Sequence, residues 1–208
     1  MYRLPTETKL PDYLHTLSMA NQLVLLGVRP PIIQHLCGIG RKVAIRLYKE
    51  AHHGSSKSGL LPYDSYWISR SSLNALHASI FLGIFADIAP LECQNPVQAT
   101  RLLTAYTLYS EVVGRVINHN RLDVSHDHGR LLDINRAWHL IQQFNSRESR
   151  LLQCGRCQSR HLVLNTLPKF YQRCPICEVW AEKNSRRHKA AYLGWPPAQA
   201  MNARISTT

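Results

Sequence analysis

The sequence predicts a mainly α protein. It has a helical domain with a helix-turn-helix-like segment near its N-terminus and a small four-cysteine, zinc-ribbon-like module near its C-terminus. Three observations predict this. Apolar residues recur at helical spacing through residues 12–145. Near Leu151 those stripes give way to short β-leaning runs. Four cysteines then follow as two closely spaced pairs. The expected organisation is a helical domain over 12–145, a zinc-binding basic module over 151–190 and a polar tail over 191–208.

The elements follow in order. Asp12 is a plausible N-cap, and Leu17, Ala20 and Val24 sit at i, i+3 and i+7 behind it. Gly27 ends that helix, Pro30 and Pro31 open a short second one, and Cys37-Gly38-Ile39-Gly40 reads as a turn. A third helix runs from Arg41 to about Ala51, followed by a flexible loop from His53 to Gly59. Residues 19–50 are therefore the helix-turn-helix candidate. In residues 71–145, three amphipathic stripes predict helices that pack on one another or on a partner subunit. The first is Leu73, Leu76, Ile80, Phe81, Ile84, Phe85 and Ile88, stopped by Pro90. The second is Leu102, Tyr106, Tyr109, Val113 and Val116, and the third is Leu131, Ile134, Trp138, Ile141 and Phe144. Beyond Leu151, His161–Leu164 and Phe170–Gln172 lean towards strand.

At 100° per residue, Lys42, Arg46 and Lys49 fall on one face of the third helix, opposite Val43, Ala44, Leu47 and Tyr48. Such a helix buries one side against Ile32, Ile33 and Leu36 and presents cations outward, a geometry suited to the major groove. Arg41 opens the same helix. A second basic cluster, Lys183, Arg186, Arg187 and Lys189, follows the zinc module. These eight residues are the candidate DNA contacts; a solvated helix face and a solvated tail are the competing readings.

The charge distribution agrees with a polyanionic partner. The formal net charge is +12. Residues 1–50 carry seven bases and three acids, residues 51–150 nine and eight, and residues 151–208 nine and two. The positive field sits at the two ends, around a nearly neutral middle, which points to nucleic acid more than to a membrane surface. The apolar stretches Leu23–Val28 and Ala78–Ala89 fall short of the ~18 residues that a spanning helix needs. The opening Met-Tyr-Arg-Leu-Pro-Thr-Glu lacks an apolar secretory core, so a cytoplasmic protein is expected.

Cys154, Cys157, Cys174 and Cys177 form C-x2-C-x16-C-x2-C. Each C-x2-C knuckle turns two thiolates onto one ion, and sixteen residues allow a β-hairpin that brings the second knuckle under the first. Soft thiolates in a closed four-coordinate shell favour one structural zinc ion with no open position for water activation. Arg156, Arg160 and Arg173 are expected to favour the thiolate form. Disulfides are disfavoured without export, and Cys37 and Cys93 read as small buried hydrophobes.

Enzyme motifs are missing. There is no Walker-type glycine loop, no G-x-S-x-G, no H-E-x-x-H and no paired carboxylate motif on a helix, so catalysis is not expected. Asn118-His119-Asn120 and His126-Asp127-His128 read as part of a polar surface loop, and His77 as a hydrogen-bonded histidine near a core.

Several separated motifs fall in an order that resembles the flagellar transcriptional activator FlhC family. They are Leu25-Leu26-Gly27-Val28-Arg29, Gly40-Arg41-Lys42, Arg46-Leu47-Tyr48-Lys49-Glu50, Gly59-Leu60-Leu61-Pro62 and Tyr66-Trp67. His77-Ala78-Ser79-Ile80-Phe81, Arg136-Ala137-Trp138 and the four cysteines continue the match, over roughly residues 19–190. The resemblance implies a cytoplasmic DNA-binding activator with one zinc ion on Cys154, Cys157, Cys174 and Cys177. It also implies assembly with FlhD-like subunits into a heterohexamer of two C and four D chains. That complex acts upstream of flagellar promoters with the housekeeping RNA polymerase. The lead before Met19, the histidine-rich Asn118–Arg130 stretch and the tail after Lys189 depart from the pattern. A zinc-stabilised protein-interaction scaffold, or a divergent paralogue acting at other promoters, is the alternative reading. Single-strand or RNA binding through Phe170, Tyr171 and Trp180 ranks below both.

Overall fold

The computed structural model describes residues 10–56, 59, 61, 65–88, 99–119, 132–165 and 173–179. Seven helices and one hairpin occupy these residues: α1 (Leu10–Leu25), α2 (Pro30–Cys37), α3 (Arg41–His52), α4 (Tyr66–Ser69), α5 (Ser72–Ile88), α6 (Ala99–His119), α7 (Ile134–Asn145), β1 (Ser149–Gln153) and β2 (Arg160–Leu164). A further helical turn covers 175–179. The mainly α expectation holds, and the three predicted stripes fall on α5, α6 and α7, although Leu131 lies outside the described residues and Asn118 and His119, expected in a loop, end α6.

The first three helices are set by their ends. α1 stops in a two-bond cap: the Gly27 amide donates to the Val24 carbonyl at 2.7 Å and the Val28 amide to the Leu23 carbonyl at 3.0 Å. Gly27 sits at φ +84°, which only glycine adopts without steric cost. Val28 and Leu23, the apolar pair of that cap, are both fully buried. Pro30 begins α2, where its missing N–H has no helical partner to lose. Gly38 ends α2 at φ +65°, with its amide on the Gln34 carbonyl at 2.9 Å. Ile39 is then buried and Gly40 starts α3, so a three-residue turn joins two helices that both pack on α1. Asp12 is not the cap of α1. The helix already runs from Leu10, because Pro11 is tolerated in a first turn.

One core binds these helices to the rest. Leu23, Ile32, Ile33 and Ala44 belong to the same buried cluster as Phe81, Leu82 and Phe85 of α5, Leu102 and Tyr109 of α6, and Leu140 and Ile141 of α7. Leu162 and Leu164 of β2 join it, so packing runs across the chain's change of character near Leu151. α4, a single turn absent from the sequence reading, adds Trp67 and Ile68. Polar ties reinforce the packing. Asn135, buried at the start of α7, accepts from the Arg29 amide at 2.9 Å and donates to the Gly27 carbonyl at 3.1 Å. It thereby fixes the α1–α2 corner against α7. Tyr109 Oη accepts from the Leu132 amide at 2.9 Å and pairs with His77 Nδ1 at 2.7 Å. Burial lowers the His77 pKa and raises that of Tyr109 to about 12.

The hairpin differs from the expected one. β2 pairs antiparallel with β1, from Ser149↔Leu164 to Gln153↔Arg160, so its partner precedes the first knuckle. The reason lies in the end of α7. The Arg147 amide donates to the Phe144 carbonyl and the Glu148 amide to the Gln143 carbonyl, with Arg147 at φ +62°. This cap turns the chain straight into β1. The predicted strand at 170–172 lies outside the described residues.

Candidate metal centre and nucleic-acid interface

The first knuckle occupies the turn of the β1–β2 hairpin. The Cys154 amide donates to the Ser159 carbonyl and the Gln158 amide to the Cys154 carbonyl, both at 2.9 Å. Gln158 takes φ +59°, a position glycine would occupy with less strain, which winds the loop tightly enough to aim two sulfurs one way. The Arg156 amide points at Cys154 Sγ at 3.4 Å. The second knuckle is built differently. Cys174 immediately precedes a helical turn and Cys177 lies within it, and the Glu178 amide closes that turn on the Cys174 carbonyl at 3.1 Å.

The two knuckles meet. All four sulfurs lie within 4.8 Å of one another, with Cys154 Sγ 3.9 Å from Cys177 Sγ and Cys157 Sγ 3.5 Å from Cys174 Sγ. A tetrahedral ion with metal–sulfur bonds of about 2.3 Å separates its ligands by about 3.8 Å, so the donor set fits such an ion. Cys174 is buried and the other three are half-buried. Burial pushes the Cys174 and Cys177 thiols up, and hydrogen bonding among the thiols adds to this at Cys177. At Cys157 burial also acts upward, but hydrogen bonds from Ser159 and from the Cys174 and Cys177 thiols outweigh it and bring that thiol down to about 7. Four thiolates repel one another at this spacing, and a divalent cation relieves that repulsion. The four cysteines can therefore hold a metal ion.

Of the three arginines expected to support the thiolates, Arg160 is paired elsewhere. Arg160 Nη2 reaches Asp87 Oδ2 on α5 at 2.6 Å, which holds the Asp87 carboxyl below its ordinary value. Arg156 and Arg173 are exposed.

On α3, Arg41, Lys42, Arg46 and Lys49 are all exposed, whereas Ala44 is buried and Val43, Leu47 and Tyr48 pack against the core. The predicted division of the helix into a cationic and an apolar face is present. One acid interrupts the cationic face: Arg46 Nε donates to Glu50 Oε1 at 2.7 Å. Lys183, Arg186, Arg187 and Lys189 lie outside the described residues, as do Cys93, residues 120–131 and the 191–208 tail. Cys37 is half-buried against the core.

Residues 10–190 match the family model described as flagellar transcriptional activator (FlhC). The chain belongs to the FlhC family. It is 29% identical over 183 residues to the flagellar transcriptional regulator FlhC of Gallionella capsiferriformans, covering 85% of this chain and 91% of that protein. FlhC proteins of Nitrosomonas eutropha and Erwinia tasmaniensis are 26% and 24% identical, over 84% and 81% of this chain and 85% and 88% of theirs. FlhC is a family of transcriptional regulators, which is not an enzyme class. Among the described residues, no helix of this FlhC-family chain is long and apolar enough to cross a membrane.

Three contributors to the centre and its setting escaped the sequence reading. Ser159, Gln158 and Asn135 carry no signal in residue type alone; their roles arise from a hydrogen bond, a left-handed backbone and a buried amide.

Proposed function

We propose that this chain is a DNA-binding subunit of a flagellar transcriptional activator, acting in the cytoplasm with a FlhD-like partner and RNA polymerase at motility promoters. Its four cysteines hold one structural zinc ion. The observation that carries the DNA reading is the row of exposed cations on α3, the second helix across a three-residue turn, whose opposite face is locked into the core. Side chains of this type neutralise phosphates and pair with guanine edges in the major groove. Lys183, Arg186, Arg187 and Lys189 would add phosphate contacts from the zinc module. The assembly reading draws support from Leu108 and Val112, exposed one turn apart on α6, and from the exposed Leu10 and Leu14 of α1.

The test is duplex affinity against salt for the full chain co-purified with its helical partner. Wild-type affinity should fall linearly on a log–log plot, and Lys42→Ala with Arg46→Ala should make that slope shallower by about 2. An unchanged slope and affinity in the double variant would move the reading to the scaffold alternative.

A further inference from the structure

Both halves of the metal centre are tied to the same helix, at separated points. The second knuckle is held where Ser72 Oγ, in the first turn of α5, donates to Glu178 Oε2 at 3.1 Å; Glu178 directly follows Cys177. The first knuckle is held through β2. The Leu162 amide donates to Ser79 Oγ at 2.9 Å in the middle of α5, and Arg160 pairs with Asp87 near its end. Ser72 and Asp87 stand fifteen residues apart, about 22 Å along a helix axis at about 1.5 Å per residue. The two ties therefore constrain different parts of the module.

We propose that α5 is a jig that holds the two cysteine knuckles in register, with Ser72, Glu178, Asp87 and Arg160 acting as positioning residues for the bound metal. The inference rests on the reading that the four cysteines bind a metal ion. Sixteen residues separate Cys157 from Cys174, and bringing the knuckles together costs loop-closure entropy. Ties to a helix already anchored by Phe81, Leu82 and Phe85 meet that cost as the core forms, leaving more of the ligand affinity for the ion. Glu178 suits the role twice over. Its amide closes the helical turn that carries Cys174 and Cys177, and its carboxylate sits at the N-terminal end of α5, where the helix dipole favours an anion. Arg160 complements it near the other end, where the carboxylate of Asp87 is available.

The experiment titrates Co²⁺, then Zn²⁺ in competition, into the reduced full chain with its partner. It follows the visible absorption of tetrahedral cobalt–thiolate together with the helical circular dichroism. Ser72→Ala combined with Arg160→Ala should weaken metal affinity about tenfold, through the loss of one charge-assisted hydrogen bond and one exposed ion pair, with the cobalt spectrum and helix content unchanged. Asp87→Arg combined with Arg160→Asp should restore the part lost by Arg160→Ala, which a general loss of stability would not do. Wild-type affinity in the tether variants, within twofold, would overturn the jig while leaving the metal site intact. Failure of the wild-type chain to bind either ion would instead overturn the metal reading. If the combined variant does not fold, Ser72→Ala and the exposed Asp87→Ala decide separately by the same criterion.

Discussion

Single side chains decide how the helices seat against one another. Tyr109 Oη serves a buried main-chain amide, that of Leu132, and a largely buried histidine, His77, at once. Tyr109→Phe keeps the ring and strands both partners. It should cost about 1–3 kcal/mol in denaturant unfolding of the full chain, and a loss below half that would show that the hydroxyl is dispensable. The same pocket sets a pH dependence. The folded pKa of His77 is depressed, so its contribution is present above the unfolded histidine value of about 6.5 and is lost as pH falls below it. His77 was legible as a hydrogen-bonded histidine, since it sits in an apolar stripe. Arg147 and Gln158 were not, because their left-handed backbones hold positions where glycine would have been the visible sign.

Among elements, the helices were legible because a period of 3.6 leaves a trace wherever one face is buried, as in α5, α6 and α7. Proline and glycine marked the ends of α1 and α2 for the same local reasons that the structure displays. β1 left no such trace. Ser149-Arg-Leu-Leu-Gln does not alternate cleanly, and its strand character comes from the cap that ends α7 and from pairing with β2. The cysteine spacing predicted the convergence of four sulfurs but not how the second knuckle is built, since a helical turn and a hairpin arm satisfy C-x2-C equally. β2 is the element that ties core to centre. Leu162→Ala, which empties a buried site beneath α5, should cost about 2–5 kcal/mol and lower metal affinity in the same protein. Normal stability in unfolding measurements would show that the hairpin is only loosely seated.

At the scale of the whole molecule, charge and packing divide the labour. Apolar residues from α1 to β2 form one cluster, so the helix that carries the cationic face and the hairpin that carries the first knuckle belong to one packed body. Asn135 braces the corner that leads into α2 and α3, and α5 carries the ties to both knuckles. The excess of bases at the two ends was legible from sequence. That both ends share a core was not, because it depends on Leu162 and Leu164 reaching helices more than seventy residues earlier. The most direct measurement is duplex affinity of the partner-bound chain before and after its metal is withdrawn by a chelator under reducing conditions. A loss of about tenfold or more, recovered on adding back one equivalent of Zn²⁺, is the predicted result. Equal affinity with and without the ion would contradict it.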